Sequence, residues 1–166
     1  MSDRWVETKV RWSFRPTGRR GGQAGRVALD ERAAALARAP LFAEMPKRAL
    51  RRLARVAGVT DRREGVTVVK EGAAGSVFYV ILEGRAKVVR KRRTVARLKG
   101  GDFFGEMSLL DGRPRTASVV TETPARFLTL SARDFRAALD ADANLSKHIL
   151  RVIAARLRDL ENPPAG

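Results

Sequence analysis

The chain has 166 residues, 44% of them apolar, which is one domain's length with enough material for a real core. It has no cysteine and a single histidine, His148, so disulfides, thiolate nucleophiles, Cys-ligated metals and multi-histidine metal sites are excluded. Thirty-four Lys and Arg against 18 Asp and Glu give a formal charge of +16, which predicts affinity for an anion without saying which anion.

Residues 1–28 read as a basic arm, with seven Lys and Arg against two acids and with Trp5, Trp12 and Phe14 among them. Residues 5–14 alternate as an extended segment does, while the stretch RPTGRRGGQAGR at 15–26 has neither period and reads as flexible. Helical signals begin at Asp30, the expected N-cap of an Ala-rich helix that stops before Pro40. Pro46 opens a second helix, with Ala49, Leu50, Leu53, Ala54 and Val56 on one face and Lys47, Arg48, Arg51, Arg52 and Arg55 on the other.

The period then changes to two. Val66, Val68, Phe78, Val80, Leu82, Ala86, Val88, Val95, Val119, Phe127, Leu128 and Leu130 sit in short runs with glycine at the corners. Helical spacing returns at Ser131, where Ser131-x-x-Asp134 has the form of a capping box with Asp in place of Glu. The last helix is expected from about Asn144 to Glu161, with Leu145, Ile149, Val152, Ile153, Leu157 and Leu160 as its apolar stripe. The expected fold is mainly β with flanking helices: an antiparallel β-roll or jelly-roll barrel between an N-terminal helix pair and C-terminal helices. The expected boundaries are an arm at 1–28, a domain at 29–162 and a tail at 163–166. No apolar run approaches the roughly 20 residues of a membrane span, and no apolar stretch follows the first charges as in a secretory signal. The expected location is cytoplasmic.

One stretch carries chemistry: GDFFGEMSLLDGRPRTASVV at residues 101–120. A turn of helix after Gly105 would turn backbone N–H groups outward. Arg115 follows nine residues after Glu106, and its planar fork suits a phosphodiester. A carboxylate at Glu106 would repel phosphate but accept hydrogen bonds from a sugar hydroxyl. Gly100 to Gly105 has the glycine spacing of a P-loop, yet Glu106 stands where that loop needs Lys, and no GxGxxG occurs. The residues therefore describe a nucleotide cradle. The competing reading is a structural ion pair between Glu106 and Arg115.

The segment FGEMSLLDGRPRTASV (104–119) closely resembles the phosphate-binding cassette of cyclic nucleotide-binding domains. The resemblance continues upstream through PLF-x-x-M (40–45) and VVKEGAAGSVFYVILEGRAKV (68–88), and spans roughly residues 36–160. It implies that Glu106 takes the ribose 2′-hydroxyl and that Arg115 neutralises the cyclic phosphate. It implies ribose and phosphate contacts from Gly105, Met107 and Ser108, a further phosphate contact from Thr116, and Val88 in the base pocket. A Thr at position 116 also helps hold guanine in some members. The implied ligand is cAMP or cGMP, with no cofactor and no metal. Ser76 departs from the family, which has Asp after Gly75 to support the cassette arginine, so a less constrained Arg115 is expected. No helix-turn-helix follows the last helix, so sequence-specific DNA binding is not expected.

These readings converge on a free-standing, non-enzymatic sensor that signals through its terminal helices to a protein partner or a second copy. The rival is a basic scaffold with a degenerate cassette, binding nucleic acid or an acidic protein. The hairpin at 85–99, with eight Lys and Arg and no acid, is read as a solvated tip or as that scaffold's contact surface. His148 is read as a packing or surface residue.

Overall fold

The structure, a computed structural model, describes residues 28–161. Trp5, Trp12, Phe14 and the rest of the arm lie outside the described residues. Helices α1 (Leu29–Arg38) and α2 (Lys47–Val56) flank a short 3-10 turn at Pro40–Phe42. Eight strands follow: β1 (Gly58–Arg62), β2 (Thr67–Val69), β3 (Val77–Glu83), β4 (Arg85–Arg90), β5 (Arg93–Lys99), β6 (Phe103–Phe104), β7 (Ser118–Thr121) and β8 (Ala125–Ser131). Helix α3 (Glu106–Asp111) interrupts them between β6 and β7, and α4 (Ala132–Ala141) and α5 (Ala143–Glu161) close the domain. The strands form two antiparallel four-stranded sheets, ordered β1-β8-β3-β6 and β2-β7-β4-β5. The expected β-roll with helices at both ends is the observed fold.

The first sheet is a middle layer. Phe78 and Val80 on β3, Phe103 on β6 and Leu128 and Leu130 on β8 face the helices, where they pack with Leu36, Phe42, Leu53, Phe135 and Leu145. The Phe78 ring stacks on Phe135 at 4.9 Å between centroids and meets Phe42 edge-on at 5.8 Å. Their neighbours Tyr79, Ile81, Phe104 and Phe127 point the other way, into the space between the two sheets, and pack with Ala86, Val88 and Val119. A strand buried on both faces loses clean alternation, which is why β3 reads as an almost continuous apolar run and β8 sets Phe127 beside Leu128.

Two connections carry particular hydrogen bonds. Thr121 is buried, and its hydroxyl donates to the Arg63 carbonyl at 2.6 Å while accepting from the Val66 amide at 2.8 Å. It thereby fixes the turn leading into β2. At the start of α4, Ser131 caps the helix as expected, accepting from the Asp134 amide at 3.1 Å. The expected cap at Asp30 is corrected. The N-cap of α1 is Ala28, whose amide donates to the Glu31 carboxylate at 3.1 Å. Asp30 lies in the first turn instead and pairs with Arg51 at 2.8 Å.

The β4–β5 hairpin turns on Lys91 and Arg92, with φ of +48° and +65°. Positive φ at both central residues is the signature of the tight mirror-image hairpin turn, which favours Asn-Gly. A side chain there costs roughly 1–2 kcal/mol per residue relative to glycine. Val95, expected inside a strand, sits at the irregularity in this edge strand and is 54% exposed.

On α5, Leu145 and Ile149 are buried, and Val152 and Ile153 pack against the same core. Leu157 is corrected from the expected inward stripe. It is 51% exposed and lies seven residues from Leu150, itself 66% exposed, so the two share an outer face. The Leu160 side chain lies outside what the structure describes. Both ring nitrogens of His148 are buried without a hydrogen-bond partner, and the residue lines a small recess with Leu41, Met45 and Leu145. Among the described residues no helix is long and apolar enough to cross a membrane.

Candidate functional site

The cassette is built from the backbone outward. Strand β6 ends at Gly105, whose φ of +91° reverses the chain so that α3 can begin at Glu106. A Cβ at Gly105 would lie 2.8 Å from the Val77 carbonyl oxygen and 2.7 Å from a terminal nitrogen of Arg115, so this turn is reserved for glycine. Helix α3 stops after six residues at Gly112, φ +69°. The helical turn expected after Gly105 is therefore present.

Arg115 is fixed from both ends. Its amide donates to the Ala73 carbonyl at 2.8 Å, and its carbonyl accepts from the Gly72 amide at 2.8 Å. Its guanidinium donates to the Gly105 carbonyl at 2.8 Å and to the Val77 carbonyl at 2.6 Å. Only 7% of the residue is exposed. Burial lowers its pKa, and the nearby Tyr79 and Glu106 raise it in opposition. An arginine keeps its proton through such a shift, so a full positive charge is held below the surface. The looser Arg115 expected from Ser76 is not what the structure shows: two carbonyl oxygens orient the guanidinium without a carboxylate at that position.

Glu106, at the first position of α3, is 2% exposed, and its charge is felt by Arg115. Ser108 is also buried, whereas Met107 and Thr116 are exposed. Val88 stands apart on β4, half-buried, with its side chain in the layer between the sheets. The fold thus brings Gly105, Glu106, Ser108 and Arg115 together, and places Val88 on the opposing sheet.

Sequence reasoning missed three participants. The carbonyls of Val77 and Ala73 have no residue-type signal, since any residue supplies one. Gly75 had a signal and no assigned reason. A Cβ there would overlap the Arg115 guanidinium and come within 2.8 Å of the Ser108 Cβ, so its missing side chain is the space the guanidinium occupies. A cleft of about 660 Å³ between α2 and α4 is lined by Met45, Ala49, Leu53 and Ala138 and contains none of the cassette residues.

Known proteins resemble this chain in sequence and in fold. The family model for the cyclic nucleotide-binding domain matches residues 61–142. A CRP-like cAMP-activated global transcriptional regulator of Mycobacterium tuberculosis is 33% identical over 132 residues, covering 76% of this chain and 59% of the regulator. The chain therefore spans less than two thirds of that relative. A cyclic nucleotide-binding domain from Methylobacillus flagellatus superposes with a TM-score of 0.66 at 26% identity, covering 79% of each chain. The catabolite activator protein of Thermus thermophilus gives 0.68 at 27% identity, covering 74% of this chain and 60% of that one.

Proposed function

Because the chain belongs to the cyclic nucleotide-binding domain family, we propose that it binds a cyclic mononucleotide, cAMP or cGMP, through the cassette from Gly105 to Thr116 and serves as a non-enzymatic sensor. The observation that carries the reading is Arg115, a buried cation beside Gly105 and Glu106. Its guanidinium has five N–H donors. Two are spent on the Gly105 and Val77 carbonyls, which leaves three for phosphate oxygens. A phosphodiester reaching this position meets a charge already desolvated and oriented, where an ionic hydrogen bond is strong.

Glu106 separates the two ends of the ligand. As a carboxylate it accepts from the ribose 2′-hydroxyl and repels the phosphate, so the nucleotide has one orientation. Backbone amides of Met107 and Ser108, or the Ser108 hydroxyl, and the Thr116 hydroxyl complete the sugar and phosphate contacts. Val88 lines the base pocket from the opposing sheet. The Mycobacterium tuberculosis relative is cAMP-activated by name, which favours cAMP, while Thr116 keeps cGMP in contention.

The signal leaves through α5 to a protein partner or a second copy. The support is its two-sided character: Leu145 and Ile149 anchor it to the core, while Leu150 and Leu157 face out. Such a face suits a partner helix.

Thermal melting tests the binding step. A ligand at 100-fold excess over Kd that binds only the native state adds about 2.7 kcal/mol. At about 2–4 °C per kcal/mol for a domain of this size, the melt should rise by about 5–10 °C with cAMP or cGMP. If neither nucleotide at millimolar concentration moves the melt by about 1 °C, the cassette does not bind a cyclic mononucleotide.

A further inference from the structure

The β4–β5 hairpin concentrates eight Lys and Arg, with no acid and no aromatic residue, in residues 85–99. Its register decides what that composition means. Arg85 lies opposite Lys99 and Lys87 opposite Arg97, while Ala86, Val88 and Leu98 face the sheet interior. The four cations therefore share the outer face as two directly opposed like-charge pairs. Arg90 opposite Arg93 makes a third such pair beside the turn. Like charges directly opposite across strands destabilise a sheet. Among the described residues the ion pair that relieves this ribbon is Arg97 with Glu122, at 3.1 Å. Lys91 and Arg92 then occupy the two positive-φ positions, where Asn-Gly would be relaxed. Two independent local rules are broken at one place, and each break keeps cations on one exposed ribbon.

We propose that this hairpin is a docking surface for the phosphate backbone of double-stranded nucleic acid, bound without regard to sequence. Alternate residues on a strand are about 6.8 Å apart and neighbouring strands about 4.8 Å apart, so the outer face presents two close parallel rows of charge. Strand β4 is also paired with β7, so the two strands form one margin of a four-stranded sheet, and its outer face lies across the phosphates rather than entering a groove. Five of the eight cations are arginine, whose fork matches phosphate oxygens in pairs. With no aromatic platform the ribbon offers unpaired bases only arginine planes to stack on, which favours duplex over single strand. With no Asn or Gln it has no side chain suited to reading adenine, and phosphate contacts dominate.

The test is fluorescence anisotropy of the full chain with a labelled mixed-sequence duplex of about 20 base pairs, titrated between about 50 and 200 mM salt. Five phosphate contacts predict a slope of log affinity against log salt of about −4.5. The double variant Lys91→Asn, Arg92→Gly removes two charges while relaxing the turn, so it should fold at least as well and flatten the slope by about two. Adding Lys87→Gln and Lys99→Gln, on the outer face itself, should flatten it by about four. The control Lys47→Gln, Arg48→Gln, Arg52→Gln, Arg55→Gln removes four exposed charges from α2 and should change the slope by less than about one. If the control matches the four-site hairpin variant, the binding belongs to net charge and the proposal is overturned. If polyglutamate displaces the wild-type chain as well as unlabelled duplex does at equal charge, the surface is one for acidic protein and the proposal is again overturned. Cyclic nucleotide is absent from every arm, so the outcome is independent of the cassette.

Discussion

Arg115→Ala is expected to weaken cyclic nucleotide affinity by about 2–5 kcal/mol, or roughly 30-fold to several-thousand-fold, because it leaves a phosphate charge desolvated and unpaired. The same substitution also strips the Gly105 and Val77 carbonyls of their donors, so a stability loss of about 1–3 kcal/mol should accompany it. The two effects are separable. Arg115→Lys keeps the charge but not the fork that reaches two carbonyls and a phosphate together, so it should bind measurably better than Arg115→Ala and still well below the native chain. Glu106→Gln keeps shape and an acceptor and should lose less, about 1–2 kcal/mol. Titration calorimetry on variants with confirmed native melts measures all three. A folded Arg115→Ala protein with native affinity would place the phosphate elsewhere.

Removal of residues 157–166 is expected to leave a folded barrel, since Leu145 and Ile149 keep the first half of α5 in the core. It should weaken nucleotide binding and abolish ligand-dependent binding of a partner, because the outer face loses Leu157. A complete switch from 1:99 to 99:1 requires about 5.5 kcal/mol of differential affinity between the two states of the helix. Hydrogen exchange reads this directly: residues 144–160 of the intact chain should be protected more strongly at saturating ligand than without it. Unchanged exchange there, alongside new protection at 105–116, would remove α5 as the switch and make the basic hairpin or the N-terminal arm the better output surface.

The cassette was legible because its chemistry resides in residue types at fixed spacing. A positive φ needs Gly105, a buried cation needs Arg115, and the proposed ribose contact calls for a carboxylate such as Glu106. The two-sheet roll was legible in outline from short strands and glycine corners. It was blurred at β3 and β8, where burial on both faces hides the period of two. What stayed hidden is what the backbone does at long range. The Val77 carbonyl that holds Arg115 is 38 positions away in sequence, and no residue-type signal marks it. The looseness inferred from Ser76 failed for the same reason: carbonyl oxygens orient Arg115 where a side-chain acid was sought. Helix ends misled in a smaller way, since Asp30 has the chemistry of a cap but is held in an ion pair with Arg51. In the hairpin, composition showed the charge, and only the register showed that Arg85, Lys87, Arg97 and Lys99 share one face.

The central claim is that Arg115 and Glu106 grip opposite ends of one cyclic nucleotide. A crystal structure of the chain grown with cAMP, and a second with cGMP, tests it most directly. The account predicts a phosphate oxygen within about 3 Å of the Arg115 guanidinium and the ribose 2′-hydroxyl within about 3 Å of the Glu106 carboxylate, ordinary lengths for charge-assisted hydrogen bonds. A nucleotide bound away from Arg115, or one with its phosphate turned to solvent, would contradict it.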